Sequence, residues 1–167
     1  MRSQSFPYVA RKDARVLILG SLPGTMSLAK QQYYAHPQNK FWNIMGEIAN
    51  AGPQLPYEER LAKLTEHRIA LWDVCHTALR PGSLDSAISE EIPNDFAAFF
   101  ADHPQVGLVC FNGAKAAEIY RRKALPTLPA ALQALPRTTL PSTSPAHAGM
   151  RFEQKLALWM GILGKTA

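Results

Sequence analysis

What this 167-residue chain lacks narrows its chemistry before any motif is read. It has 2 cysteines, Cys75 and Cys110, each set inside an apolar run. There is no CxxC and no Cys/His cluster at metal-ligand spacing, so a disulfide scaffold is excluded, zinc is disfavoured, and reduced core thiols are expected. No apolar run approaches the roughly 20 residues that span a bilayer, and MRSQSFPYVARKD has no apolar signal core. A cytoplasmic or bacterial-nucleoid protein is therefore expected, with no membrane partner. GxxxxGK[ST] and GxGxxG are both absent, which lowers the usual nucleotide-binding α/β proteins without excluding them. No internal repeat or low-complexity tract occurs. Acidic residues are few, 13 against 18 Lys and Arg, and the net charge of +5 with a pI near 9.4 favours an anionic partner without requiring nucleic acid.

With 47% hydrophobic residues the chain can bury one good core and is read as a single domain over residues 1–167, most simply a monomer. Arg15–Gly20, Ile69–Cys75 (IALWDVC), Val106–Phe111 (VGLVCF) and Thr138–Leu140 read as strands. Phe41–Ala49, Tyr57–His67, Pro93–Asp102, Gly113–Leu125 and Arg151–Leu163 carry helical patterns. Residues 1–14 read as a polar lead-in whose Phe6-Pro7 packs on the surface. His76–Glu91 reads as a long loop, and Pro126–Pro136 as a proline-rich segment with a short helical piece. Four strands separated by helices pair in parallel through crossovers, so the expected fold is α/β, a three-layer α/β/α sandwich around a central four-stranded parallel sheet. Such sheets bind ligands beyond the carboxyl ends of their strands. The unusual polar groups sit there: Ser21 with the loop after it, Asp73 with His76, Asn112, and the run Ser142-Thr143-Ser144.

The loop after the first strand is the richest stretch. Gly20, Pro23 and Gly24 make a tight turn whose backbone amides are free to approach a ligand. From Tyr33 to Trp42 come two tyrosines, a His-Pro pair, an asparagine and an aromatic pair, a costly composition for a loop outside a site. Bland readings stand beside the functional ones. Asn39 can cap the helix beginning near Lys40, Tyr34 can be core, and His36 can orient the loop. Asp73 can cap or pair with Arg80, and Asn112-Gly113 can form a turn. Lys115, Arg121, Arg122 and Lys123 can be a solvated helix face.

Gly20-Ser-Leu-Pro-Gly24 followed by Tyr34-Ala-His-Pro-Gln-Asn-Lys-Phe-Trp42 resembles the first motif of the uracil-DNA glycosylase superfamily, and Leu140-Pro-Ser-Thr-Ser-Pro145 resembles its second. The pattern is similar to the mismatch-specific uracil/thymine branch (GINPG, an aromatic, AHP, NxFW) and more similar still to the hypoxanthine (deoxyinosine) branch. The likeness covers essentially the whole domain, including FNGAKA after the third strand. It implies damaged DNA as partner and base excision without metal, cofactor or lysine nucleophile. In the mismatch-specific branch the third place of GINPG holds the water-positioning asparagine. Here that place is Leu22, and the resemblance to the hypoxanthine branch points to Asn39 as the catalytic residue instead. Tyr34 falls where the family stacks an aromatic on the flipped base, and Asp73 near the position that reads the base edge, usually asparagine. Gly20, Ser21 and His76 join this base-binding group. Ser142, Thr143 and Ser144 occupy the loop that grips backbone phosphates, and His147 or Met150 falls near the intercalating wedge.

The chemistry implied by that resemblance can be derived. Cleaving a base from deoxyribose passes through an oxocarbenium-like sugar while negative charge moves onto the base, so a water must be held on one side and the base stabilised on the other. A neutral asparagine orients water but is a poor base, which leaves placement and leaving-group stabilisation to supply most of the rate. Hypoxanthine offers an N1–H donor with O6 and N7 acceptors; Asp73 as carboxylate accepts from N1–H, while backbone amides or His76 donate. Flipping costs a few kcal/mol, part of it offset by stacking on Tyr34. Three alternatives stay open: a uracil/thymine mismatch glycosylase, a non-catalytic lesion-binding module on the same fold, and a nucleotide-binding α/β protein of another kind.

Overall fold

The computed structural model describes residues 2–164, which form seven strands and seven α-helices. They run β1 (Arg2–Gln4), β2 (Val16–Gly20), α1 (Thr25–Lys30), α2 (Phe41–Ala49), α3 (Tyr57–Glu66), β3 (Ile69–Asp73) and β4 (Cys75–Leu79). There follow β5 (Ser89–Pro93), α4 (Phe96–Asp102), β6 (Leu108–Asn112), α5 (Ala114–Ile119), α6 (Ala130–Gln133), β7 (Arg137–Leu140) and α7 (Phe152–Leu163). Every residue of β2 and β3 is buried, as continuous apolar runs demand when helices cover both faces of a sheet. The strands stand in the order β3-β2-β6-β7, all parallel.

Side chains alternate across that sheet into two cores. Leu17, Leu19, Ala70 and Trp72 pack against Phe96, Phe99 and Phe100 of α4 and Ala116 and Ile119 of α5. Val16, Ile18, Ile69 and Leu71 meet α2, α3 and α7 through Phe41, Met45, Leu64 and Trp159. This is the expected three-layer α/β/α sandwich. The parallel register brings Gly20 opposite Asp73 and Asn112 opposite Leu140, so the four carboxyl ends share one edge.

Several expectations are corrected. Residues 1–14 are not simply a lead-in, and His76–Glu91 is not simply a loop: β1, β4 and β5 form a second, antiparallel sheet in the order β1-β4-β5. Phe6 is buried rather than laid on the surface. The second strand stops at Asp73, because Val74 turns the chain and Cys75 begins β4. Helix α4 starts at Phe96, after Asp95 caps it by accepting from the Ala98 amide at 3.1 Å. The stretch 113–125 begins as α5 and continues as a π-helical segment, Tyr120–Ala124. Among the described residues no helix is long and apolar enough to cross a membrane.

Helix α7 closes the sandwich through Trp159, fully buried, whose indole Nε1 donates to the Pro141 carbonyl at 2.9 Å. Trp159→Ala is expected to cost about 3–5 kcal/mol, the range for truncating a buried large aromatic, read as a lower urea midpoint at unchanged slope.

Candidate active site

Stretches of chain from Phe6 to His147 meet at the common edge and enclose a cleft of about 560 Å³, within the range of small-ligand sites. Its floor is built by glycine. A Cβ on Gly20 would lie 2.6 Å from Asp73 Oδ1 and 2.7 Å from the Tyr34 hydroxyl, so only a bare backbone lets that carboxylate and that phenol converge. Both are buried polar groups without a full set of partners: neither Asp73 Oδ2 nor the Tyr34 hydroxyl has a hydrogen bond among the described residues. Buried polar atoms are nearly always paired within the protein, and a pair of exceptions in one cleft marks a ligand site. Burial is the main force raising the Asp73 pKa from 3.8 to about 7; nearby Arg80 works against it and Asp85 with it. Burial, then the Asp73 charge, holds the Tyr34 hydroxyl firmly in its neutral form.

Tyr34 takes a left-handed backbone conformation, φ 55°, costing about 1–2 kcal/mol for a bulky residue. The surrounding bonds enforce it. Ser27 Oγ accepts from the Ala35 amide at 3.1 Å, the Trp42 indole donates to the Tyr33 carbonyl at 2.9 Å, and Phe41 stacks on the Tyr34 ring at 4.2 Å. Asn39 lines the same cleft and also makes the bond of its bland reading: its Oδ1 accepts from the Phe41 amide at 2.9 Å at the start of α2. That bond fixes the side chain beside the cleft.

Asn112, expected among the polar groups at the strand ends and alternatively as a turn residue, lines the cleft and is its tie bar. Its Nδ2 donates to Thr143 Oγ1 at 2.9 Å, and its Oδ1 accepts from the Thr143 amide at 2.9 Å. The Thr143 carbonyl accepts in turn from the Lys40 amide at 3.0 Å, next to Asn39. Gly113, at φ 97°, lets the loop pass close, since a Cβ there would stand 3.1 Å from that of Ser142. Ser142 and Ser144 line the cleft with their hydroxyls in local turns, Ser142 Oγ accepting from the Ser144 amide at 3.1 Å and Ser144 Oγ from the Ala146 amide at 3.2 Å. His147 lies exposed on the rim, its carbonyl held by Lys155 Nζ at 2.7 Å. Met150 does not line the cleft.

Ser21 lines the cleft, with its hydroxyl donating to Asp85 Oδ1 at 2.8 Å. Leu22 beside it is buried and apolar, with no side-chain group to hold a water. His76 is the misplaced member of the expected set: it lies exposed on β4 and does not line the cleft, because the chain bends at Val74 and passes into the second sheet. The expected pairing of Asp73 with Arg80 is also corrected, for the guanidinium bonds Asp85 and two loop carbonyls instead. Lys115 was read as solvated helix surface, yet it lines the cleft while pairing with Glu118 at 3.6 Å. Burial pushes both thiols up to about 12, and neither cysteine lines the cleft. No cluster of three or more metal-ligating side chains occurs among the described residues.

A family model described as the uracil DNA glycosylase superfamily matches residues 6–161. The chain belongs to that superfamily. A protein named hypoxanthine DNA glycosylase from Methanosarcina acetivorans is 41% identical, the match covering 76% of this chain and 86% of the relative. One of the same name from Methanosarcina barkeri is 42% identical over 71% of this chain and 75% of its own. A solution NMR structure of a candidate uracil DNA glycosylase from Methanosarcina acetivorans superposes with a TM-score of 0.83 at 34% identity, covering 99% of both chains. In this member of the superfamily, a glycine floor, an aromatic loop, a carboxylate and a hydroxyl-rich loop share one cleft, with an asparagine tie bar between them.

Asn112→Ala is expected to lower stability by about 1–3 kcal/mol in urea unfolding, because it strands the buried Thr143 amide and hydroxyl. Thr143→Val keeps the backbone bond and is expected to lose less.

Proposed function

We infer that this DNA glycosylase releases hypoxanthine from deoxyinosine, hydrolysing the N-glycosidic bond of a nucleotide flipped from DNA as the opening step of base excision repair. The carrying observation is the pair of partnerless polar atoms, Asp73 Oδ2 and the Tyr34 hydroxyl, gathered around Gly20 in one cleft. Deamination converts an acceptor ring nitrogen, N1 of adenine or N3 of cytosine, into an N–H donor beside a carbonyl. A carboxylate on the floor accepts from that N–H and repels the lone pair of the unmodified base, so Asp73 reads the change that makes the base a lesion. The names of two relatives, at 41% and 42% identity, favour hypoxanthine over uracil as the preferred base.

Tyr34, backed on one side by Phe41, stacks on the extruded base. Asn39 holds the attacking water at the sugar carbon. As the C–N bond breaks, its electron pair leaves with the base, the water oxygen bonds to the sugar, and the water's proton balances the departing anion. The products are free base and an abasic site in an uncut strand, so cleavage appears only after alkali. Backbone amides of the Gly20–Gly24 turn stabilise the leaving charge, and Ser142, Ser144 and Lys115 hold phosphates, with His147 at the rim filling the gap in the stack. The single domain acts as a monomer on DNA, in the cytoplasm or nucleoid.

Asn39→Ala is expected to fold while slowing single-turnover release from a deoxyinosine duplex by at least about tenfold, the scale of losing one positioned contact. An unchanged rate removes Asn39 from the mechanism, and lesion binding with no release by the unaltered protein points to a binding module instead.

Asp73 gives a pH signature. Excision rises as pH increases through about 7, where the carboxylate forms, and Asp73→Asn slows excision and loses that limb. Stability runs the other way: the folded value lies above the ordinary 3.8, so the unfolded chain ionises first and stability falls as pH rises from about 4 to about 7. Asp73→Asn removes that slope in denaturation measured across the same pH range.

A further inference from the structure

The strap of residues 80–86, between β4 and β5, has no role in the mechanism above, yet it carries a buried arginine. The Arg80 side chain is 3% exposed, with Nη1 donating to Asp85 Oδ1 at 3.1 Å. Its Nη2 donates to the Leu22 carbonyl at 3.3 Å and to the Pro23 carbonyl. Asp85 also accepts from Ser21 Oγ at 2.8 Å, and Ser83 Oγ accepts from the Thr25 amide at 3.0 Å. The strap is thus sewn to the stretch after β2 at four residues, Ser21, Leu22, Pro23 and Thr25, and Arg80 supplies the cation in these bonds. A guanidinium is the group suited to this, since its fixed fork serves several acceptors at once.

We propose that Arg80 is a positioning residue for base excision, holding the Gly20–Gly24 turn in shape and placing a buried positive charge in the cleft it lines together with Asp73. The role rests on the reading of Asp73 as the base-edge acceptor. Two physical needs meet in this one side chain. A buried carboxylate is disfavoured unless a cation stands near. A carboxylate under the leaving group also opposes the negative charge that grows on the base, and a cation behind it cancels that opposition. Arg80 and Asp85 from the strap act on Asp73, and Asp73 in turn acts on the Tyr33 and Tyr34 hydroxyls of the aromatic loop, the Tyr57 hydroxyl of α3 and the Cys75 thiol of β4. Burial keeps these last four neutral near pH 7, so Arg80 and Asp85 are the charges that tune it.

The test is a carbon-detected NMR titration of the Asp73 carboxyl in the full chain, with single-turnover excision of deoxyinosine measured across the same pH range. In Arg80→Met the Asp73 midpoint moves to higher pH, the acid limb of the rate profile moves with it, and the rate at pH 7 falls by about tenfold or more. Arg80→Lys keeps the charge, leaves the midpoint close to its original place, and lowers the rate because an ammonium cannot bridge Asp85 and both carbonyls. Asp85→Asn, which retains a polar partner for the strap, moves the midpoint to lower pH; it keeps the test decisive if Arg80→Met does not fold. An Asp73 midpoint that stays fixed in every folded variant overturns the proposal. Midpoints that move as stated while Asp73→Asn leaves excision unchanged overturn the base-edge reading instead, and the catalytic role of Arg80 with it.

Discussion

Thr143 is the residue on which the cleft depends, because three hydrogen bonds converge on it from two separate parts of the chain. The side chain of Asn112, at the end of a central strand, fastens its amide and hydroxyl, and the Lys40 amide fastens its carbonyl. Each bond is modest by itself, about 1 kcal/mol net, but all lie where water is excluded and an unmade bond is costly. The consequence is geometric. The Ser142–Ser144 loop and the loop that carries Asn39 cannot shift independently, so in the proposed mechanism a grip on the DNA backbone is also a placement of the Asn39 amide. Rigid linkage of this kind suits a weak base such as asparagine, whose value in that mechanism lies in position rather than basicity.

Beneath that frame the site stores an unfavourable charge arrangement. Asp73 has one carboxylate oxygen without a partner, Tyr34 has a bare hydroxyl and a left-handed backbone, and both crowd one glycine. A protein shaped for stability alone would satisfy or remove these groups. Retaining them leaves hydrogen-bonding capacity to a ligand that brings its own donor, and under the proposed reading of Asp73 a base lacking that donor is rejected because it leaves the carboxylate unpaired. The two well-packed cores on either side of the sheet supply the stability that this arrangement spends.

The central sheet and its helices were legible because buried parallel strands announce themselves as unbroken apolar runs such as Val16–Leu19 and Ile69–Trp72. Asp73 was legible because it ends such a run, whereas the aromatic loop and the Ser-Thr-Ser run were legible through the motifs that resemble those of the superfamily. The antiparallel sheet was not: β1 pairs with β4 across some seventy-five positions, and β5 (SEEIP) is too polar to stand out. His76 was misplaced because adjacency in sequence to Asp73 conceals the bend at Val74 that carries the chain into the second sheet. Arg80 and Asn112 were visible in the sequence, but the bonds they make were not, for a related reason. Their partners, Asp85 with two carbonyls and Thr143, become neighbours only after folding, and no local pattern marks a side chain destined for a distant backbone.

The amino-terminal arm has a further importance. Phe6 lines the cleft and meets Tyr33 edge-on at 5.2 Å, and its carbonyl accepts from the Trp72 indole at 3.0 Å. A segment that looks like a dispensable leader is thus mortared into the wall behind the aromatic loop. Losing these contacts would loosen the wall behind the aromatic loop while the four parallel strands keep their own pairing.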